Sequence, residues 1–275
     1  MSTLLPAKPP DIPLSEVLTE RSARVAAAAK LQRHTGRRRA GQFLAEGPNL
    51  VEAAARSGLV IEVFATEAAA QRHAGLLTGL PAHQVTERAA KALSETVTPS
   101  GLVAVCRTPH AVLDDVLASQ PRLVAVAVEL SEPGNAGTLI RLADAMGAAA
   151  VIFAGHSVDP YNGKCLRSSA GSIFNVPVLV EPDTPEVLGR LRVAGLRTLA
   201  TTLDGEVSLD DAEADLGAPT AWLFGPESQG LSAEIASLAD VRVTIPMTGG
   251  AESLNVAAAA AICLYQSARA QRAQG

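Results

Sequence analysis

The chain has 275 residues, 48% of them apolar and only 3% aromatic, enough to bury a sizeable core built on Ala, Val and Leu rather than on rings. Its formal net charge is −5, which as a total argues against a polyanionic partner. Cys106, Cys165 and Cys263 are isolated and form no CxxC pair, so no metal site or thiol-redox centre is expected, only buried thiols in a reducing compartment.

The distribution of charge says more than the total. Residues 1–109 carry 13 Lys and Arg against 9 Asp and Glu, a balance of +4, which leaves the remainder at −9. Arg21, Arg24, Lys30, Arg33, Arg37, Arg38 and Arg39 fall in one short stretch with His34, which suits one part of the chain to a phosphate backbone and the other to different work. The opening MSTLLPAKPPDIPL is Pro-rich without a continuous apolar run. It is expected to be a disordered tail over 1–14, neither signal peptide nor membrane anchor, in a cytoplasmic protein.

A helix is expected from about Ser15 to Gln32, ended by His34-Thr35-Gly36, with Arg37-Arg38-Arg39 in the turn. Phe43–Gly47 reads as a short strand entering a glycine turn, and Asn49 as the cap of a helix through Arg56. Strands at Val60–Phe64, Gln84–Val85 and Leu102–Cys106 alternate with helices at Glu67–Ala74 and Glu87–Leu93, which makes residues 15–108 a small α/β domain. Thr108-Pro109 marks a boundary, and a linker over 109–120 holds a helix at Val112–Leu117. The second domain, 121–272, opens on Leu123–Val128, an uninterrupted apolar run of the kind found in central parallel strands. Further strands are expected at Ala149–Ala154, Val176–Val180, Thr198–Thr201, Ala221–Phe224 and Val241–Ile245, with helices at 136–146, 160–169, 184–194 and 231–238. The final helix, Val256 to Gln271, starts almost entirely apolar and must be buried; burial against a second subunit is the expectation.

Three strand-to-helix junctions carry the candidate chemistry: Glu132–Gly137, Leu223–Gly230 and Ile245–Asn255. Glycine-rich loops at the carboxyl edge of a sheet are where open α/β folds bind ligands. No GxGxxG follows a strand, and GxxxxGK[ST], HExxH and GxSxG are missing, which removes support for nicotinamide, kinase, metalloprotease and serine-hydrolase readings. Asn135 could be a plain helix cap, Arg141 and Arg167 exposed helix bases, Glu227 a solvated loop carboxylate, and Ser253 or Asn255 a cap of the last helix. In the functional reading, Asn135 fixes the geometry of Arg141, which suits bidentate phosphate binding. The glycines beside Glu227 then admit close ligand approach, and Ile245-Pro246-Met247 forms an apolar wall for an adenine.

In order, NxGxxxR, GxExxGLS and IPMxGxxxSLNVAxAxxI span some 130 residues and resemble the SpoU-type branch of the SPOUT superfamily, the RNA 2′-O-ribose methyltransferases. FLAEGPNLVEAA resembles the substrate-binding domain often fused to them. The resemblance implies an α/β fold with a C-terminal trefoil-knotted parallel-sheet domain preceded by a small RNA-binding α/β domain. It also implies S-adenosylmethionine as methyl donor, a homodimer through the C-terminal domain, and RNA, most of all 23S rRNA, as substrate. The family's catalytic set falls on Asn135, Arg141, Glu227, Ser253 and Asn255. Its cofactor contacts fall on Gly225, Ile245 and Leu254, with Thr202, Leu223, Phe224, Gly230, Pro246 and Met247 around them. This chain has Ser228 where many members carry Gly. A guanidinium with a pKa above about 12 holds its proton, so Arg141 is expected to bind the target phosphate and favour the 2′-alkoxide electrostatically rather than act as a base. The competing readings are a tRNA 2′-O-methyltransferase and a catalytically silent RNA-binding protein.

Overall fold

The computed structural model describes residues 17–226 and 229–274; the expected tail over 1–14 and the candidate Glu227 lie outside them. The chain divides into two compact units. One holds the residues up to Pro109 with Tyr161–Gly163, the other His110–Pro160 and the residues from Lys164 onward.

The first unit carries β1 (Gln42–Glu46), β2 (Val60–Ala65), β3 (Ala82–Gln84) and β4 (Leu102–Arg107). They form one sheet in the order β1-β4-β2-β3, antiparallel except for the β2–β3 pair. Thr66 and Thr86 cap the helices Glu67–Arg72 and Glu87–Leu93 through their hydroxyls, which accept from Ala69 N and Ala89 N. A core of Val25, Leu31, Phe64, Leu93, Val103 and Val105 is closed by the helix Ala23–Ala29.

Three local expectations fail here for steric and hydrogen-bonding reasons. The helix expected from about Ser15 begins only at Ala23, because Leu18 is bonded beside β3, its N donating to Gln84 O at 2.9 Å and its O accepting from Thr86 N at 3.0 Å. Gly36 does not end a helix but lies inside His34–Ala40, because only a residue without a side chain fits there: a Cβ would stand 2.0 Å from Lys30 O. Arg37, Arg38 and Arg39 are therefore helical, and the stop is Gly41 at φ +61°. Asn49 is not a cap either; the helix Pro48–Arg56 begins behind Gly47 at φ +95°, with Pro48 in its first turn.

The second unit holds β5 (Leu123–Val128), β6 (Ala150–Ala154), β7 (Val178–Glu181), β8 (Arg197–Thr201), β9 (Val207–Ser208), β10 (Thr220–Phe224) and β11 (Val241–Thr244). All pair in parallel, in the order β7-β6-β5-β10-β8-β11-β9. Every residue of β5, β6 and β10 is buried, as helices on both faces of a parallel sheet require. The chain moves outward from β5 to β6 and β7, then crosses to β8 on the other side. Ligands of such sheets bind beyond the carboxyl ends of the strands at this kind of reversal. The helix Leu113–Ala118, expected as part of a linker, instead places Leu113 and Val116 in this unit's core.

The last helix, Val256–Ala273, packs on the helix Pro133–Met146 and on β5 and β10 of its own chain. Its apolar residues Val256, Ala260, Cys263, Leu264 and Ala268 are thus covered without a partner. Buried Ser267 Oγ accepts from Trp222 Nε1 at 2.8 Å, fixing the helix to the central strand β10. All three cysteines are buried and outside any disulfide, and burial pushes the Cys106 and Cys165 thiols up to about 12.

Asp240, just ahead of β11, ties that strand to β8. Its carboxylate accepts from Thr198 N (2.8 Å), the Thr198 hydroxyl (2.7 Å) and Arg192 Nε (2.9 Å). Partial burial pushes this carboxyl up, but the Thr198 N–H and hydroxyl and the Arg192 guanidinium together hold it below its ordinary value. A carboxyl depressed in the folded state adds stability above its unfolded pKa, about 3.9, which is lost as pH falls through the folded value. Urea unfolding between pH 7 and pH 3 should therefore show a shallower loss of stability for Asp240→Asn than for the unaltered chain. An identical acid limb would remove Asp240 from that role.

Candidate active site

Three loops leave the carboxyl ends of β8, β10 and β11 and enclose a cavity of about 590 Å³, within the size range of small-ligand sites. Two of these walls, after β10 and after β8, are set by a close backbone approach. After β10, a Cβ on Gly225 would stand 2.5 Å from both Gly230 C and Leu231 N. Gly230, at φ +66°, donates its N–H to Pro226 O at 2.8 Å and closes that turn. After β8, Gly205 lies on the backbone of β11, where a Cβ would meet Thr244 N at 2.5 Å. Arg242 clips the same loop, its Nε and its backbone N donating to the Glu206 carboxylate at 2.7 and 3.0 Å. Foremost the Arg242 backbone N–H holds the Glu206 carboxyl below its ordinary range; the guanidinium adds to this and partial burial opposes it.

Of the expected cofactor residues, Gly225, Gly230, Ile245, Met247, Leu254 and Thr202 line the cavity. Thr202 Oγ1 is buried there without a hydrogen-bond partner among the described residues. A buried hydroxyl left this way costs about 1–3 kcal/mol, an arrangement suited to a polar ligand atom. Leu223 and Phe224 do not line the cavity: both side chains are fully buried in the sheet, and Leu223 O already accepts from the Thr201 hydroxyl at 2.9 Å. Pro246 is not among the lining residues. Sequence reasoning missed Asp204 and Arg242, which do line it; the strand-then-glycine pattern Thr201-Thr202-Leu203-Asp204-Gly205 was the available signal.

The loops near 135 and 250 meet at a hydrogen bond between two Asn side chains. Ser253 and Leu254 line the cavity, and the next residue, Asn255, donates Nδ2 to Asn135 Oδ1 at 3.3 Å. Asn255 Oδ1 also accepts from Ala257 N at 2.9 Å and caps the last helix. One amide thus starts the helix with its oxygen and reaches the neighbouring loop with its nitrogen. Asn135 is not a cap: the helix Pro133–Met146 starts one turn earlier, on Glu132, whose carboxylate accepts from Gly134 N. The Lys164 ammonium, then the Gly134 N–H, hold the Glu132 carboxyl below its ordinary range. Gly137 lets this helix touch Gly163–Ser169, since a Cβ would stand 2.3 Å from Cys165 O. Arg141 is exposed, outside the cavity lining, and pairs with no other described residue.

In the first unit Arg21, Lys30, Arg33, Arg38 and Arg39 are exposed, as is Arg167 in the second. Arg24 is exposed but engaged with Glu62 at 2.9 Å. Arg37 is the exception to the basic surface: it is buried, and its guanidinium donates to Leu31 O and Gln32 O at 3.0 and 2.7 Å. It closes the turn Lys30–Gln32 rather than presenting charge. Among the described residues no three His, Cys, Asp or Glu side chains cluster as metal ligands would, and no helix is long and apolar enough to cross a membrane.

The model of the SpoU rRNA Methylase family matches residues 122–265, and that of the MRM3-like substrate binding domain matches residues 22–104. The chain belongs to the SpoU rRNA methylase family. It is thus a methyltransferase. Among its relatives is the 23S rRNA (guanosine(2553)-2′-O)-methyltransferase RlmP of Bacillus subtilis, 32% identical over 92% of this chain and 98% of that one. The 23S rRNA (uridine(2479)-2′-O)-methyltransferase of Streptomyces viridochromogenes is 34% identical over 96% and 95%. The solved structure of the SpoU methyltransferase AviRb from Streptomyces viridochromogenes, in complex with AdoMet, superposes with a TM-score of 0.80 at 34% identity. It covers 92% of this chain and all of that one.

Proposed function

We propose that this SpoU-family chain methylates a ribose 2′-hydroxyl of 23S rRNA with S-adenosylmethionine as donor. The observation that carries the reading is the junction of Asn255 with Asn135 beside a cavity that holds an unpartnered Thr202 hydroxyl. Its support is a chain-long likeness to 23S rRNA enzymes. The cavity fits the donor: Ile245, Met247 and Leu254 supply apolar wall, and Thr202 a polar anchor. When bound, S-adenosylmethionine supplies a methyl group on a cationic sulfur, open to in-line attack by an oxygen.

The chain's own residues must then align a weak nucleophile and stabilise the charge that grows on it. Ser253 and Asn255 orient the ribose, and Asn135 keeps Asn255 in place. Arg141, exposed and without a partner among the described residues, binds the phosphate next to the target and lowers the cost of the alkoxide character that grows as the 2′-hydroxyl gives its proton to water. Glu227 is assigned to holding Arg141 and its loop. Arg21, Lys30, Arg33, Arg38 and Arg39, with Arg167 of the methyltransferase unit, contact RNA phosphates. The likeness to the SpoU family and the all-parallel sheet support a trefoil-knotted methyltransferase domain. The strip Ala258, Ile262 and Tyr265, exposed on the last helix, is the surface for a homodimer of a cytoplasmic enzyme.

Ribose-methylation mapping of 23S rRNA from cells with and without the protein tests this. One 2′-O-methyl nucleotide should vanish without it. An unchanged 23S map with a lost tRNA methyl group would transfer the reading to tRNA, and calorimetry showing no S-adenosylmethionine binding would end it.

A further inference from the structure

In the first unit the loop Ser94–Ser100 is built around one carboxylate and one ammonium. Glu46 Oε1, at the end of β1, accepts from the Ser94 hydroxyl at 2.7 Å and from Ser100 N at 3.3 Å, with the Thr96 hydroxyl 3.2 Å away. From the other side Lys91 Nζ donates to Thr96 O (2.6 Å) and Val97 O (3.2 Å). The loop's exit is pinned at Gly101, at φ +73°, where a Cβ would stand 2.6 Å from the Thr66 hydroxyl. Between these ties Val97 is 95% exposed.

Single exposed apolar side chains are ordinary. What sets this one apart is the tether beneath it. Ser94, Thr96 and Ser100 are bonded inward, to Glu46 and to one another, and the Thr96 and Val97 carbonyls to Lys91, which leaves Val97 as the apolar side chain at the tip, between the exposed Glu95 and Thr98. A loop held this way loses little conformational freedom when something binds to it. Its flank leads to the basic segment: Gln32 Nε2 donates to Ala92 O at 3.0 Å, which joins the position two residues before the loop to the one just before Arg33. RNA single strands offer two chemistries to such a pair of neighbouring segments, phosphates for guanidinium groups and unstacked bases for apolar or aromatic side chains.

We infer that Ser94–Ser100 is a preformed RNA-contacting loop that sets Val97 against the face of an unpaired base, beside phosphates held by Arg33, Arg38 and Arg39. This rests on the reading of RNA as substrate. The substitution Val97→Ser removes apolar surface that the fold does not use, so the variant folds like the parent.

Fluorescence anisotropy with in vitro transcribed 23S rRNA fragments, across a salt series, tests the contact on the full chain. Val97→Ser should weaken binding about three- to tenfold at every salt concentration. The slope of log K against log salt should stay the same, because every phosphate remains paired. Arg38→Ala with Arg39→Ala should flatten that slope, by about 0.7–0.9 for each phosphate left without its guanidinium. S-adenosylmethionine affinity should be the same in all variants. Binding by Val97→Ser equal to the parent overturns the inference, as does a weakening accompanied by a flattened slope. A parent chain that binds no 23S rRNA fragment overturns the substrate reading and this inference with it, and is told apart by the parent's own titration.

Discussion

Arg141→Ala is expected to lower kcat for RNA methylation by about 10²–10³, the range seen when one preorganised charge-stabilising donor is removed. S-adenosylmethionine affinity should stay within about twofold, because Arg141 is outside the cavity lining. The residue is exposed, so the core is untouched and thermal stability should be unchanged. Arg141→Lys separates charge from geometry. An ammonium keeps the positive charge but not the planar fork that grips a phosphate through two N–H groups, and partial recovery is the expected result. Single-turnover assays at saturating RNA measure this directly. Turnover near the parent's in Arg141→Ala would remove Arg141 from the reaction.

Gly225→Ala should act on the opposite half of the problem. The added methyl would stand 2.5 Å from Gly230 C and Leu231 N, both backbone atoms that no rotamer change can move aside. Overpacking of this kind costs about 1–3 kcal/mol, and here the strain falls on a loop that forms the cavity wall. Donor affinity should fall at least about tenfold, equivalent to ~1.4 kcal/mol, with the melting temperature lowered as well. Gly249→Ala supplies the contrast, since its Cβ would meet nothing within 4 Å, and it should bind the donor normally. Isothermal calorimetry on the two variants decides the matter; equal affinities would mean that the turn at Gly225 does not shape the donor site.

The α/β architecture was legible because its strongest signals are local. Leu123–Val128 is apolar at every position, and only a strand covered on both faces tolerates that; the structure has the strand over those same residues, wholly buried. The glycine turns could be read for a similar reason, since a backbone that must approach another backbone leaves Gly as the residue that fits. What could not be read were facts created by tertiary packing. Arg37 is one of three consecutive arginines in the sequence, and only the packing of His34–Ala40 on Lys30–Gln32 turns it inward. Arg242, unlike Asp204 in its strand-then-glycine run, became a cavity residue through the parallel pairing of β8 with β11, a neighbour relation between segments about 40 residues apart that no local pattern encodes. The last helix is a further case: an all-round apolar pattern announces burial without saying against what, and the helix Pro133–Met146 with β5 and β10 covers one face of it.

That helix has a mechanical consequence. At one end Asn255 begins it, bonded to Asn135; near the other, Gln271 Nε2 donates to the carbonyls of Arg122 and Ala218 at 2.8 and 2.9 Å, at the amino-terminal feet of β5 and β10. An α-helix of 18 residues is a rod about 27 Å long that resists compression along its axis. It behaves as a strut braced against the floor of the sheet, with Asn255 as its tip. Any displacement of that tip along the axis must be absorbed at Gln271, so the position of a side chain beside the cavity is gauged from the opposite edge of the unit.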